Sequence, residues 1–149
     1  MDEIHLPLKD IKKYLVSDTS ILITRSASPG ATRLIENYEK NTIYCGFIIC
    51  LDIFDLKMKY PLFFFLKNIE KIMTGQSSGT IMKNVSQETL KGLYLALPSN
   101  KSDPVISSFN GIISSAFLKM NRIQQENQQL TQLRDWLLPM LMNGQVKVA

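Results

Sequence analysis

Histidine, cysteine and long apolar runs are all scarce in this 149-residue chain, and each scarcity removes a class of chemistry. The only histidine is His5, in a charged N-terminal stretch, so a His-dependent triad or a His-rich metal centre has almost no material. The only cysteines are Cys45 and Cys50, five positions apart in one apolar stretch. In a strand that spacing places them on opposite faces, so neither a disulfide nor a metal pair is suggested. Two buried thiols in a reducing compartment are expected instead. The longest apolar runs, "IYCGFIICL" and "YPLFFFL", fall short of the roughly 20 residues that a membrane helix requires. "MDEIHLPLKD" is charged and interrupted by Pro7, unlike a secretory signal, and a cytoplasmic location is expected.

The motifs of catalysis are missing too. No GxxxxGK[ST] spacing is present, so the glycine–serine run Thr74–Thr80 is not a phosphate-binding P-loop. No glycine motif of the adenosylmethionine-binding type occurs. Asp52 and Asp55 lack a third ligand, and Ser26 and Ser28 have no base nearby in sequence. The expectation is a protein that is not an enzyme, with no catalytic residue, metal or cofactor.

Against these absences stand an apolar fraction of 45% and a charged fraction of 20%, which suit a soluble, cored protein. The formal charge of +4 is spread along the chain: residues 1–103 carry 13 basic and 11 acidic side chains, and residues 104–149 carry 4 and 2. Such an excess permits an anionic partner without requiring one.

Along the chain, "LKDIKKYLV" from Leu8 to Val16 has helical spacing, and "SILIT" from Ser20 to Thr24 reads as a short buried strand. In "RSASPGATR", Pro29-Gly30 predicts a type II turn, since proline presets φ and glycine accepts the positive φ that follows. "RLIE" and "TIYCGFIICLDI" read as two further strands, separated by the turn residues "NYEKN". A helix is predicted from Pro61 to Met73, then the loop Thr74–Thr80, then a short helix "QETLKG" capped by Ser86. "LYLAL" reads as a strand ending at Pro98, and "PSNKSD" marks a domain boundary.

Beyond that boundary the period becomes a heptad. Ile106, Ile113, Met120, Asn127, Arg134 and Leu141 form one series, and Phe109, Ala116, Ile123, Leu130 and Leu137 form the second. These are the a and d positions of a coiled coil, opened by Asp103 as N-cap and Pro104 at the first helical position. Asn127 and Arg134 at a positions fix register and partner number at some cost in stability. Ile112, Phe117 and Leu133 broaden the stripe, so a further surface beside a single partner helix is expected. The alternative is a core helix folded on its own domain. Pro139 is predicted to kink or end the helix, with Asn143-Gly144 turning the chain into an extended tail. The fold class is α+β: a small mixed α/β globular domain over residues 1–103, then a long coiled-coil helix and C-terminal hook over 104–149.

The ending "LRDWLLPMLMNGQVKV", Leu133 to Val148, resembles the close of the conserved helical region in specificity subunits of type I restriction–modification systems. That family pattern is a leucine-rich helix ending in Leu-Leu-Pro-x-Leu-Met-x-Gly-x-Val/Ile. "KYLVSDTSILITRSASPGATRLIE" is similar to the family's helix, strand and Ile-Ser-Arg-Ser turn, and "YPLFFFLKN" resembles its Tyr-Leu-rich helix. "GTIMKNVSQETLKGLYLALPS" resembles the loop, short helix and strand that close a target recognition domain. The resemblance spans about residues 10–146, with residues 1–103 similar to the later part of such a domain.

The resemblance implies a non-catalytic subunit that reads one half of a bipartite site on double-stranded DNA. Modification subunits dock around its helices, and the restriction subunit associates indirectly. With one recognition unit and one helix, the chain resembles a half-subunit, and a homodimer through the helix would present two such units. The other expectation is a truncated or degenerate subunit that acts as a dimerisation scaffold without specific readout. Candidate DNA contacts are Arg25, Ser26, Ser28, Thr32 and Arg33 around the first turn, and Gln76, Ser77, Ser78 and Lys83 in and beyond the glycine–serine loop. Arg25 could instead pair a carboxylate within the fold. The hook residues Trp136, Leu138, Met140 and Met142 are expected against a partner's globular domain.

Overall fold

In a computed structural model of the chain, residues 7, 11–36, 38, 41–73, 84–98 and 103–145 are described, the side chains of 71–73 excepted. The chain divides into two compact units, Met1–Asn110 and Gly111–Ala149. The first is α+β, as the sequence pattern predicts.

Its centre is a three-stranded antiparallel sheet of order β2-β1-β3, with β1 at Ser20–Thr24, β2 at Thr32–Leu34 and β3 at Ile48–Asp52. The register pairs Ile21 with Leu34 and Leu51, and Ile23 with Thr32 and Ile49. Alternation on β1 turns Ile21 and Ile23 into the core, where both are essentially without solvent exposure. Ile49, Ile53, Val16 and Val85 complete that core together with Phe63 and Leu66 of helix α1, Lys59–Met73. Each such side chain contributes about 1.5–3 kcal/mol on burial.

Two polar pins hold α1 to β2 and its flank. The Glu70 carboxylate accepts the Thr32 backbone N–H at 3.2 Å and pairs Lys67 at 2.6 Å. At the start of α1, the Tyr60 hydroxyl donates to Glu36 at 3.2 Å, with Lys59 at 3.6 Å from the same oxygen. A 3-10 turn at Leu56–Met58, capped by Asp55, leads into the helix two residues before the expected start at Pro61. The short helix α2, Gln87–Lys91, is capped by Ser86 as predicted, its hydroxyl accepting from the Thr89 N–H at 3.1 Å.

Several sequence readings are corrected. The helix expected to reach Val16 gives way at Lys12–Tyr14 to a 3-10 turn. Leu15 then bridges Ile43, and the Val16 N–H donates to the Thr42 carbonyl at 3.0 Å. Burying Val16 beside the sheet outweighs one more helical turn. The long strand read over "TIYCGFIICLDI" is broken at Gly46, where a turn closed by Ile48 N–H to Cys45 C=O precedes β3. Cys45 is exposed and Cys50 half-buried, both free thiols, so the expected burial of the pair is not met. "LYLAL" forms no strand: it has the alternation but no ladder partner among the described residues.

Helix α3 spans Pro104–Met142. Asp103 caps it, accepting the Val105 N–H on its carboxylate at 2.8 Å. Its first two turns belong to the globular unit: Ile106 is buried, Phe109 packs edge-on against Phe64 with centroids 5.8 Å apart, and the Asn110 amide donates to the Lys57 carbonyl at 2.8 Å.

The second unit is the rest of α3 and its cap. Pro139 neither ends the helix nor stops it short of Met142. The carbonyl it orphans belongs to Asp135, an exposed position where water can replace the lost bond. The helix ends in a Schellman arrangement. Gly144 has φ 69°, Gln145 N–H donates to Met140 C=O at 2.9 Å and Gly144 N–H to Leu141 C=O at 3.1 Å.

Candidate functional site

One end of the sheet gathers the exposed polar groups. The Arg25–Arg33 segment leaves β1 and returns as β2 through the predicted type II turn, with Gly30 at φ 84° and the Ala31 N–H bonded to the Ser28 carbonyl at 3.1 Å. Ahead of it a three-residue turn bonds the Ser28 N–H to the Ser26 carbonyl at 2.8 Å and holds Ala27 at φ 66°, a conformation that costs a non-glycine residue about 1–2 kcal/mol. Thr24 braces both turns from below, its hydroxyl 2.6 Å from the Ser28 carbonyl and 3.1 Å from that of Ala31. The result is a rigid arm rather than a loose loop.

Arg25, Ser28 and Arg33 are exposed on this arm, and Ser26 is half-buried. No carboxylate among the described residues forms an ion pair with Arg25. Arg33 donates to the carbonyl of its neighbour Thr32 at 3.2 Å, and its charge acts on Glu70. Thr32 itself is a correction: its side chain is buried and its hydroxyl donates to the Gly30 carbonyl at 2.9 Å, so no hydroxyl is presented to a ligand. Gln76, Ser77, Ser78 and Lys83 lie outside the described residues. The chain returns at exposed Asn84, and the Val85 N–H donates to the Arg25 carbonyl at 2.9 Å, which seats this segment beside the arm.

Sequence reading missed Phe47. It appeared to be the interior of one long strand, and the signal that could have revealed it was Gly46 inside an apolar run. The Arg25 N–H donates to the Phe47 carbonyl at 2.8 Å, so the two residues are cross-strand neighbours, and the Phe47 side chain is 71% exposed. Residues 24–34 and 41–48 contain two arginines and no acid. The opposite end of the sheet carries Asp18, Asp52 and Asp55, with Lys57 beside them.

Beside β3 and α1 lies an apolar groove of about 400 Å³ lined by Ile49, Cys50, Leu51, Leu62, Phe65, Leu66, Leu90, Leu93 and Leu95, with Gln87 and Lys91 as its polar members. It offers no activated nucleophile. Burial pushes the Cys50 thiol up, and the Asp52 charge adds to that, against a Ser20 hydrogen bond acting the other way. Among the described residues no group of three His, Cys, Asp or Glu side chains could hold a metal, and no helix is long and apolar enough to cross a membrane.

In the second unit the heptad side chains face solvent: Met120 and Leu130 are 61% and 62% exposed, and Ile123, Asn127, Arg134 and Leu141 are exposed as well. Ile113 and Leu137 are half-buried, and Ala116 is exposed. Ile106 and Phe109 are committed within the globular unit, so the available stripe begins at Ile113. Arg134 pairs its neighbour Asp135 at 2.7 Å in solvent.

Fold and surface together define a small α+β domain with a cationic arm, continued by a helix whose apolar stripe is uncovered. The family profile described as the type I restriction modification DNA specificity domain matches residues 4–132, and the chain belongs to that family. Membership places it among the DNA-recognition components of type I restriction–modification systems. The matched range stops before Leu133, so the ending that most resembles the family lies outside it. No curated protein and no solved structure matches the chain.

Proposed function

We propose that the chain is a cytoplasmic, non-catalytic half-subunit that reads one half of a bipartite site on double-stranded DNA. Its Arg25–Arg33 arm contacts the duplex, with the glycine–serine loop as a second contributor. Residues 113–142 pair with the helix of a second copy and dock modification subunits, which supply the chemistry. The observation that carries the DNA reading is the braced arm, which holds Arg25 exposed and without an ion-pair partner among the described residues. An arginine so placed can grip phosphate, or read guanine through two parallel bonds. The uncovered apolar stripe supports the pairing, because a helix of this length gains most of its stability by packing one face.

The test is duplex binding over a range of salt, with solution mass recorded alongside. A mass near twice 17.0 kDa and salt-sensitive binding with a sequence preference are expected. Arg25→Ala should weaken binding and reduce the salt slope by about 1. Replacing Ile113 and Ile123 together by Asp should leave a folded monomer. A dimer without any sequence preference would replace this reading by that of a scaffold.

A further inference from the structure

We infer that Phe47 is a base-contacting residue, which packs its ring on the C5-methyl group of a thymine in the major groove next to the nucleotide held by Arg25. This rests on the DNA-recognition reading above and adds to it a residue and a base. Three observations carry it. First, the Arg25 N–H donates to the Phe47 carbonyl at 2.8 Å, next to the last pair of the β1–β3 ladder, Thr24 and Ile48. A backbone bond of this kind holds the two Cα atoms about 5.5 Å apart. That separation corresponds to one or two base steps of about 3.4 Å, so both side chains can engage neighbouring pairs at once.

Second, Phe47 sits in a tight turn after Gly46, which has no atom within 4 Å of the position a Cβ would occupy. The ring is therefore carried on an uncrowded projection, and it is 71% exposed. Third, charge separates it from the other bare aromatic at a strand end. Phe54 is 101% exposed but stands between Asp52 and Asp55, where phosphates are repelled. Phe47 is bonded through its carbonyl to Arg25, and its own segment, residues 41–48, contains no acid. An aromatic edge is suited to the thymine methyl, the one apolar feature of the major groove, while Arg25 supplies the ionic part of the contact.

The experiment uses the full chain and a duplex library with a randomised central segment. The sequence that the wild type enriches is then resynthesised with uracil in place of each thymine in turn, which removes only the methyl. Loss of one methyl contact should weaken wild-type binding about fourfold at one position, from the transfer value of about 0.8 kcal/mol per carbon. Phe47→Ala should bind more weakly than the wild type, keep the same salt slope, and show no uracil effect at that position. Its unfolding midpoint should be unchanged, since the ring is 71% exposed. If the uracil effect is equally large in Phe47→Ala, or absent at every position in the wild type, the inference fails while the recognition reading stands. If the wild type enriches no sequence, the recognition reading fails and takes the inference with it.

Discussion

Residues 20–24 and residues 120–141 are both rich in leucine-like side chains, yet their surroundings differ. Ile21 and Ile23 on β1 are buried and lie between the ladders to β2 and β3. Met120, Ile123 and Leu130 on α3 are exposed. A short strand is buried from two sides by neighbours that its own chain supplies. Residues 111–142 form one helix of about 48 Å, and a single helix cannot bury its own apolar face. The first unit thus carries its stability internally. The second holds much of its apolar side-chain surface in solvent.

That contrast can be attacked at several strengths. The largest effect is expected in the core of the first unit: Ile21→Ala should cost about 2–5 kcal/mol in chemical unfolding, at every protein concentration. A concentration-dependent cost would mean that the sheet also depends on a partner. A smaller, pH-dependent effect is expected at the pin between α1 and β2. Burial on its own opposes the charge of Glu70, but the Lys67 hydrogen bond, the Thr32 N–H and the charges of Lys67 and Arg33 together outweigh it and hold the carboxyl below the usual range. A carboxyl lowered in the folded state stabilises fully above its unfolded value, and that stabilisation is lost as pH falls through the folded one. The unfolding free energy should therefore drop on acidification below about pH 4.5, and Glu70→Gln should flatten that limb. Smallest is the cap of α2. Ser86→Ala should cost about 1 kcal/mol, seen as faster hydrogen exchange at Thr89 with little change elsewhere.

The features legible in the sequence were those set by local chemistry. Pro29-Gly30 specified its turn, Ser86 and Asp103 their caps, and the change from alternation to a heptad marked the long helix. What stayed hidden depended on neighbours distant in sequence. "LYLAL" has the pattern of a strand, but a strand exists only with a partner. Thr32 looked like a ligand for phosphate until its hydroxyl was found turned onto Gly30. Leu15 and Val16 fit a helix by spacing, and only Thr42 and Ile43, across the sheet, explain why they are extended. Of the candidate site, the arm was visible because arginines and hydroxyls stand out around a turn. Phe47 was not, because an aromatic in an apolar run looks like core until its backbone partner is known.

The distribution of aromatic residues has an optical consequence. The single tryptophan, Trp136, stands 60% exposed in the second unit, whereas all five tyrosines, Tyr14, Tyr38, Tyr44, Tyr60 and Tyr94, fall in the first. Excitation at the red edge of the spectrum selects the indole alone, so its emission colour follows the wetting of the helix without interference from the sheet. Tyrosine absorbance follows the sheet. The chain thus carries one native chromophore set for each unit, and events on the helix and on the recognition domain can be timed separately without any label.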